Sequence, residues 1–206
     1  MAIVEIRSMA DSEVEAVCEL IGLAFADNPS TLANVRGDRV RARRAMVGAA
    51  RIAKLGRPCS RVIVAEKQGR VIGALNAAEW PRCQLTALEQ IKSAPAMVRI
   101  MGSALPRAAK MMRTRAKHDP RWPHWHVGPI GVHPEHQGRG VGSALLSSFI
   151  ERVDDLDVPS FLETDVDRNV VLYERFGFQV VAQERIIGVT TRFLWRGVGQ
   201  EPVDRT

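Results

Sequence analysis

The stretch HPEHQGRGVGS, residues 133–143, puts glycine at positions 138, 140 and 142, directly before a run, ALLSSFIERV, that has helical spacing. Glycine at every second residue is poor material for a strand or a helix interior. It suits a backbone that something must approach closely. The first turn of a helix has N–H groups without intrahelical partners, and the helix dipole adds about half a positive charge there. A glycine-rich turn between an apolar strand and a helix is therefore an anion site, where phosphate oxygens reach backbone donors unobstructed. A Walker loop would need a Gly-Lys-Ser/Thr ending, which is absent here. A dinucleotide fingerprint fails as well, because its last glycine or alanine would fall on Ser143 or Leu145. The spacing Gln137-x-x-Gly140-x-Gly142 remains.

That spacing follows a strand ending Val132-His133-Pro134, and a second motif, LYERFGF, lies downstream at 172–178. Together they resemble the GNAT superfamily of N-acetyltransferases. Its acetyl-CoA loop reads [Gln/Arg]-x-x-Gly-x-[Gly/Ala], and its second signature is Leu-Tyr-x-x-x-Gly-Phe. The resemblance is strongest over residues 125–181 and continues through the N-terminal half in element order. It implies an α/β fold: a mixed, mainly antiparallel sheet of six to seven strands flanked by helices and splayed between the fourth and fifth strands. It also implies acetyl-CoA as cosubstrate. Carried over by residue, Gln137, Gly138, Arg139, Gly140, Val141, Gly142 and Ser143 form the pyrophosphate loop. The backbone of Ile130, Gly131 and Val132 pairs with the pantetheine arm, and Tyr173 sits near the sulfur. Where many relatives place a CoA-touching asparagine, this chain has Val166. Asn169 resembles a narrower version of the motif, and local hydrogen bonding is its alternative role.

The implied chemistry is attack of a neutral amine on a thioester, with a thiolate leaving. A thiol has a pKa near ~8.5 and a phenol near ~10, so Tyr173 can return a proton to the nascent thiolate. His126 and Glu163 fall on the two strands expected to flank the thioester and are the candidate bases. A structural hydrogen bond is the competing role for each. His124 and His126 share a strand face, unless a bulge intervenes, but two ligands without a third do not make a metal site, and no metal is expected. Cys18, Cys59 and Cys83 lie outside both signatures, in keeping with direct transfer and no acyl-enzyme.

The elements that must position these groups follow from local pattern. Residues 2–7 read as a strand, and 9–27 as a helix capped by Asp11 or Ser12, with Val14, Val17, Leu20, Ile21 and Ala24 on its apolar face. Residues 28–38 read as a loop, and 39–56 as a basic helix closed by Gly56 and Pro58. Two β-branched runs, 61–66 and 71–77, flank a turn at Gln68–Gly69 and form a hairpin. A helical stretch broken by Pro95 and Pro106 follows; then comes a strand in which Gly128 and Pro129 imply a bulge. The helix from Gly140 to Asp154 buries Val141, Leu145, Leu146, Phe149, Ile150 and Val153. A strand at 159–164, a short helix capped by Asp167 and stopped by Gly177, and a final hairpin complete the chain. Met97, Met101, Met111 and Met112, with Trp80, Trp122 and Trp125, either line a pocket or pack in the core. Arg107, Lys110, Arg113, Arg115 and Lys117 read as a solvated face or an attractor for polyanionic CoA.

The 206 residues fit one acyltransferase domain, 1–206, with a helical insertion at about 82–118. The net charge of +6 alone would permit a nucleic-acid partner, but no recognised motif with interleaved aromatics accompanies it. Neither a membrane-spanning run nor a leader-like N-terminus is present, and the three scattered cysteines read as reduced thiols. The expectation is a cytoplasmic monomer or homodimer that acetylates a small-molecule amine. A protein or peptide amine is the alternative acceptor, and a non-catalytic CoA-binding module the alternative class.

Overall fold

The computed structural model describes residues 3–53 and 59–197. Its centre is one seven-stranded sheet in the order β1-β2-β3-β4-β5-β7-β6. The strands are β1 (Glu5–Ser8), β2 (Ser60–Lys67), β3 (Arg70–Glu79), β4 (Trp125–Val132), β5 (Ser160–Thr164), β6 (Gln179–Ile186) and β7 (Val189–Arg196). All neighbours are antiparallel except β4 and β5. The helices are α1 (Val14–Ala24), α2 (Pro29–Asn34), α3 (Arg39–Ala53), α4 (Ala87–Met101), α5 (Leu105–His118), α6 (Val141–Asp154) and α7 (Asp167–Glu174). No helix among the described residues is long and apolar enough to cross a membrane.

The β2–β3 hairpin turns through Gln68 and Gly69 at φ +52° and +74°. Two successive left-handed residues match the right-handed twist of the strands they join. Along β2, alternate residues are buried on opposite faces. Ile63 and Ala65 pack with Leu145, Leu146 and Phe149 of α6, whereas Val62 and Val64 pack with Val17 and Ile21 of α1 and Val47 of α3. The sheet is thus covered on both sides, and α6 buries the six residues its spacing implies. A third cluster, Phe161, Ile186, Phe193 and Trp195, packs with Met111 of α5.

The feature that matters for function is where β4 leaves β5. Their ladder holds only two pairs, Trp125–Ser160 and His126–Phe161. Immediately beyond, Leu75 pairs with Ile130 and Ala77 with Val127, so Gly128 and Pro129 together oppose Asn76. This is the bulge implied by the Gly-Pro pair, and bulges bend a strand. Asn76 Nδ2 donates to the Gly128 carbonyl at 2.8 Å and fastens it. From there on, β5 no longer pairs with β4.

Several local expectations need correction. The 28–38 segment is not all loop: Pro29 starts α2, and Asn28 Oδ1 caps it by accepting from the Thr31 N–H at 3.1 Å. Asp11 and Ser12 do not cap α1. They lie in a 3₁₀ turn, Asp11–Glu13, where Glu13 Oε2 accepts from the Ala10 N–H at 2.8 Å. Asp167 is the first residue of α7 rather than its cap, and it pairs with Arg192 at 2.7 Å. Pro95 lies inside α4 and removes one backbone donor without ending the helix, whereas Pro106 sits in the first turn of α5, where no donor is lost. The first strand begins at Glu5, and the expected stop at Gly56 and Pro58 lies outside the described residues.

Arg115 departs from its solvated reading. It reaches back from α5 to Asp165, just past β5, with Nη2 2.8 Å from Oδ2. Thr191 Oγ1 donates to the other carboxylate oxygen at 2.6 Å. The Asp165 side chain is 4% exposed and that of Arg115 24%.

Two stability measurements follow. Leu145→Ala, at a fully buried α6 position, is expected to cost about 2–5 kcal/mol in urea unfolding. Arg115→Met strands the Asp165 carboxylate and is expected to cost about 2–3 kcal/mol, below the fully buried range because Arg115 keeps some water. Adding Asp165→Asn should recover part of that loss in a double-mutant cycle.

Candidate functional site

The glycine loop is built to expose backbone. Gly138 and Gly140 have φ +71° and +80°, a region that favours glycine, and a Cβ on either would meet nothing within 4 Å. The constraint is conformational, and the space above the loop is open. Gly140 is the N-cap of α6 and offers no side-chain cap, so the first-turn N–H groups of α6 face outward without a capping side chain. Gln137, placed in the phosphate loop by its motif, turns its side chain the other way. Its Nε2 donates to the Val132 carbonyl at 3.0 Å and ties the loop to the end of β4. Gly131 has a packing duty as well, since a Cβ there would lie 2.7 Å from Ile21 Cδ1 on α1.

A cavity of about 350 Å³ occupies the opening between β4 and β5. One wall is the unpaired stretch of β4 from Val127 to Ile130; another is Glu163, Thr164 and Asp165 at the end of β5. Tyr173 and Asn169 of α7 line it too, and Asn169 Nδ2 also lies 3.5 Å from Thr164 Oγ1. Sequence reading did not anticipate the contribution of α2, which brings Ser30 and Thr31 to the cavity. Ser30 Oγ and Asn76 Oδ1 are buried there without hydrogen-bond partners. Of the four methionines considered, Met111 lines the cavity. Trp125 packs instead against Phe149, and Trp122 against Trp195.

Tyr173 is 7% exposed. Burial first, and then the nearby Glu163 charge, push its phenol well above the usual value, so it stays protonated. His126 and Glu163, expected on the two strands that flank the gap, are in direct contact: His126 Nε2 lies 3.0 Å from Glu163 Oε2. Behind His126 is a residue that no motif flagged. Asp119, just past α5, places Oδ1 2.9 Å from His126 Nδ1 and 3.4 Å from His124 Nε2. Cys83 Sγ lies 3.5 Å from Asp119 Oδ2. Cys83 also lines the cavity, so its distance from both signatures along the chain does not keep it from the site.

Charge runs through this group as one network. Burial alone would lower the His126 pKa, but the charge of Glu163 and the Asp119 carboxylate hold it well above the ordinary value. Burial would raise Glu163 and Asp119, yet His126 holds the first below the carboxylate range, and His124 with His126 holds the second there. Burial would likewise raise the Cys83 thiol, and the two histidines bring it down. Both nitrogens of His126 therefore face carboxylates, while Glu163 keeps Oε1 toward Arg115, 3.6 Å from Nη1.

Known proteins share this fold. The family model for the acetyltransferase (GNAT) family matches residues 35–178. A mycothiol acetyltransferase of Propionibacterium freudenreichii subsp. shermanii is 38% identical over 65 residues, which is 30% of this chain and 21% of that protein's length. A Corynebacterium glutamicum structure described as histone acetyltransferase HPA2 and related acetyltransferase superposes with a TM-score of 0.70 at 22% identity, covering 98% of this chain and 100% of the other. A GNAT family acetyltransferase from Brucella melitensis, in complex with acetyl-CoA, superposes with a TM-score of 0.54 at 16% identity over 98% and 92% of the two chains. A two-pair β4–β5 ladder, an uncapped glycine loop opening α6 and a family match over most of the chain lead to one conclusion: this protein belongs to the GNAT acetyltransferase family.

Proposed function

We propose that the protein transfers an acetyl group from acetyl-CoA to the primary amine of a small molecule, directly and within a ternary complex. The observation that carries this reading is the parting of β4 from β5 over a cavity that ends at Tyr173. An extended pantetheine arm runs along the edge of β4 that β5 leaves at Ile130–Val132, as an added strand would. The pyrophosphate takes the outward N–H groups of Gly138 to Ser143, and the thioester reaches the cavity.

Within the cavity, Glu163 receives the incoming ammonium and accepts its proton, directly or through water. His126 has no free ring nitrogen, so its role is to hold Glu163. Tyr173, kept protonated by burial, gives its proton to the departing thiolate and is restored, directly or through water, by the proton that the acylated nitrogen loses. Asn169 lines the wall beside it. A volume of about 350 Å³ lies at the low end for small-ligand pockets, which supports a compact acceptor. Unpartnered Ser30 Oγ and Asn76 Oδ1 supply polar contacts for such a molecule.

The test is a panel of small primary amines set beside peptides with free N-termini or lysines, read by release of the CoA thiol and by the mass of the product. Turnover with small amines is the expected outcome, and turnover confined to peptides would overturn the acceptor assignment. Tyr173→Phe is expected to lower kcat by roughly 10²-fold or more, about 3 kcal/mol of barrier, with the Kd for acetyl-CoA little changed. Gly140→Val forces a β-branched residue into a left-handed conformation and puts its side chain over the anion site. Calorimetry should register loss of acetyl-CoA binding in a protein whose circular dichroism remains native.

A further inference from the structure

We propose that Cys83, Asp119, His124 and His126 form a four-ligand zinc site behind the acetyl-transfer cavity. Sequence spacing offered two histidines and no third ligand, and for that reason no metal was expected. Folding adds a thiol from the segment after β3 and a carboxylate from the segment after α5. One ligand atom from each of the four residues lies within 4.8 Å of the other three.

Three observations point to a cation rather than a chance cluster. The first is the orientation of the rings. His124 Nδ1 donates to the Trp122 carbonyl at 2.8 Å, which leaves the lone pair on Nε2. That Nε2 is fully buried and makes no hydrogen bond, and it faces the cluster with Asp119 Oδ1 3.4 Å away. His126 Nε2 faces Glu163 Oε2 at 3.0 Å, which directs Nδ1 inward. An imidazole whose remote nitrogen is held by a carbonyl or carboxylate is the arrangement that orients metal-ligating histidines. Gln84 Nε2 similarly donates to Asp119 Oδ2 at 2.7 Å.

The second is spacing. A tetrahedral ion with bonds of ~2.0–2.3 Å sets its ligand atoms roughly 3.3–3.7 Å apart. Asp119 Oδ1 stands 2.9 Å from His126 Nδ1 and 3.4 Å from His124 Nε2, Cys83 Sγ is 3.5 Å from the other carboxylate oxygen, and all four ligand atoms fall within 4.8 Å, so side-chain rotations bring them to tetrahedral spacing. The third is charge. A thiolate and a carboxylate neutralise a divalent ion, which makes the assembled site neutral and suited to burial. One sulfur, two imidazoles and one carboxylate favour zinc over the oxygen-loving magnesium and calcium. With all four positions taken by protein, the site is closed and structural in character.

Such an ion would join the segment after β3, the end of α5 and the start of β4 at one point. It would also fix His126 as an N–H donor toward Glu163, which makes His126 a positioning residue in the reaction proposed above. That consequence rests on the proposed function; the metal site itself does not.

The experiment uses the full chain. The protein is stripped with a strong chelator, dialysed and titrated with zinc, and the metal per chain is counted by elemental analysis. In parallel, Co²⁺ replaces zinc as an optical probe. One zinc per chain is expected, and the cobalt form should show tetrahedral d–d bands with a sulfur-to-cobalt charge-transfer band. Cys83→Ser should remove the charge-transfer band and weaken zinc binding by about 100-fold or more, beyond what loss of an outer-shell partner costs. Cys59→Ser, a control thiol outside the cluster, should change neither. His124→Gln gives a second variant that tests the site without touching Glu163 or the cavity wall. Failure to take up stoichiometric zinc or cobalt, or a charge-transfer band that survives Cys83→Ser in a folded protein, overturns the proposal. Because these readouts involve no acetyl-CoA, they stand apart from any failure of the acetyl-transfer reading.

Discussion

The ladder between β4 and β5 stops after Trp125–Ser160 and His126–Phe161, and the rest of the site depends on where it stops. Unpaired backbone beside a buried sheet is costly unless something bonds to it. The bulge at Gly128–Pro129 opens the gap, and the Asn76 side chain keeps the bulge in place. A strand edge held open in this way is pre-organised for an extended ligand, because the ordering cost is met in folding rather than in binding. The same divergence frees the space into which Glu163 and Tyr173 project.

Held open at one end, the gap has the glycine loop fixed in register at the other. The α6 face does this. Leu145, Leu146 and Phe149 pack onto the inner face of β2, β3 and β4, and Gln137 and His133 bond back to the Val132 and Ile72 carbonyls. The first turn of α6 is thus locked to the sheet, while Gly138 and Gly140 leave its donors uncovered. Rigid support beneath an exposed backbone is what allows dipoles to act on a ligand without first reorganising.

Behind the cavity wall lies a dense group of ionisable side chains. Arg115, Glu163, His126, Asp119, His124 and Cys83 come from α5, β5, β4 and the segments that flank them, and each is in range of the next. A buried charge with no partner would be prohibitive, so the members hold one another in place. This explains why α4 and α5 are more than an appendage between β3 and β4. Through Arg115 and Asp119 they set the charge and the orientation of groups in the cavity.

Local patterns were legible where the physics is local. The alternating glycines and the run behind them specify a loop and an α6 whose buried face matches residue for residue, because helical periodicity and left-handed φ are properties of short segments. The Gln68–Gly69 turn and the bulge at Gly128–Pro129 belong to the same category. The pairing of His126 with Glu163 was within reach too, since both lie on strands that the signatures place side by side. Asp119, Cys83, Arg115 and the α2 residues Ser30 and Thr31 were not. Cys83, Arg115, Ser30 and Thr31 meet the cavity, and Asp119 meets His126 behind it, only because segments far from the motifs pack back over the sheet, and nothing in their sequence neighbourhoods records that contact. The charge state of His126 was likewise beyond sequence. An imidazole's proton affinity depends on the charges around it, and those charges are brought together by chain segments that only tertiary packing makes neighbours.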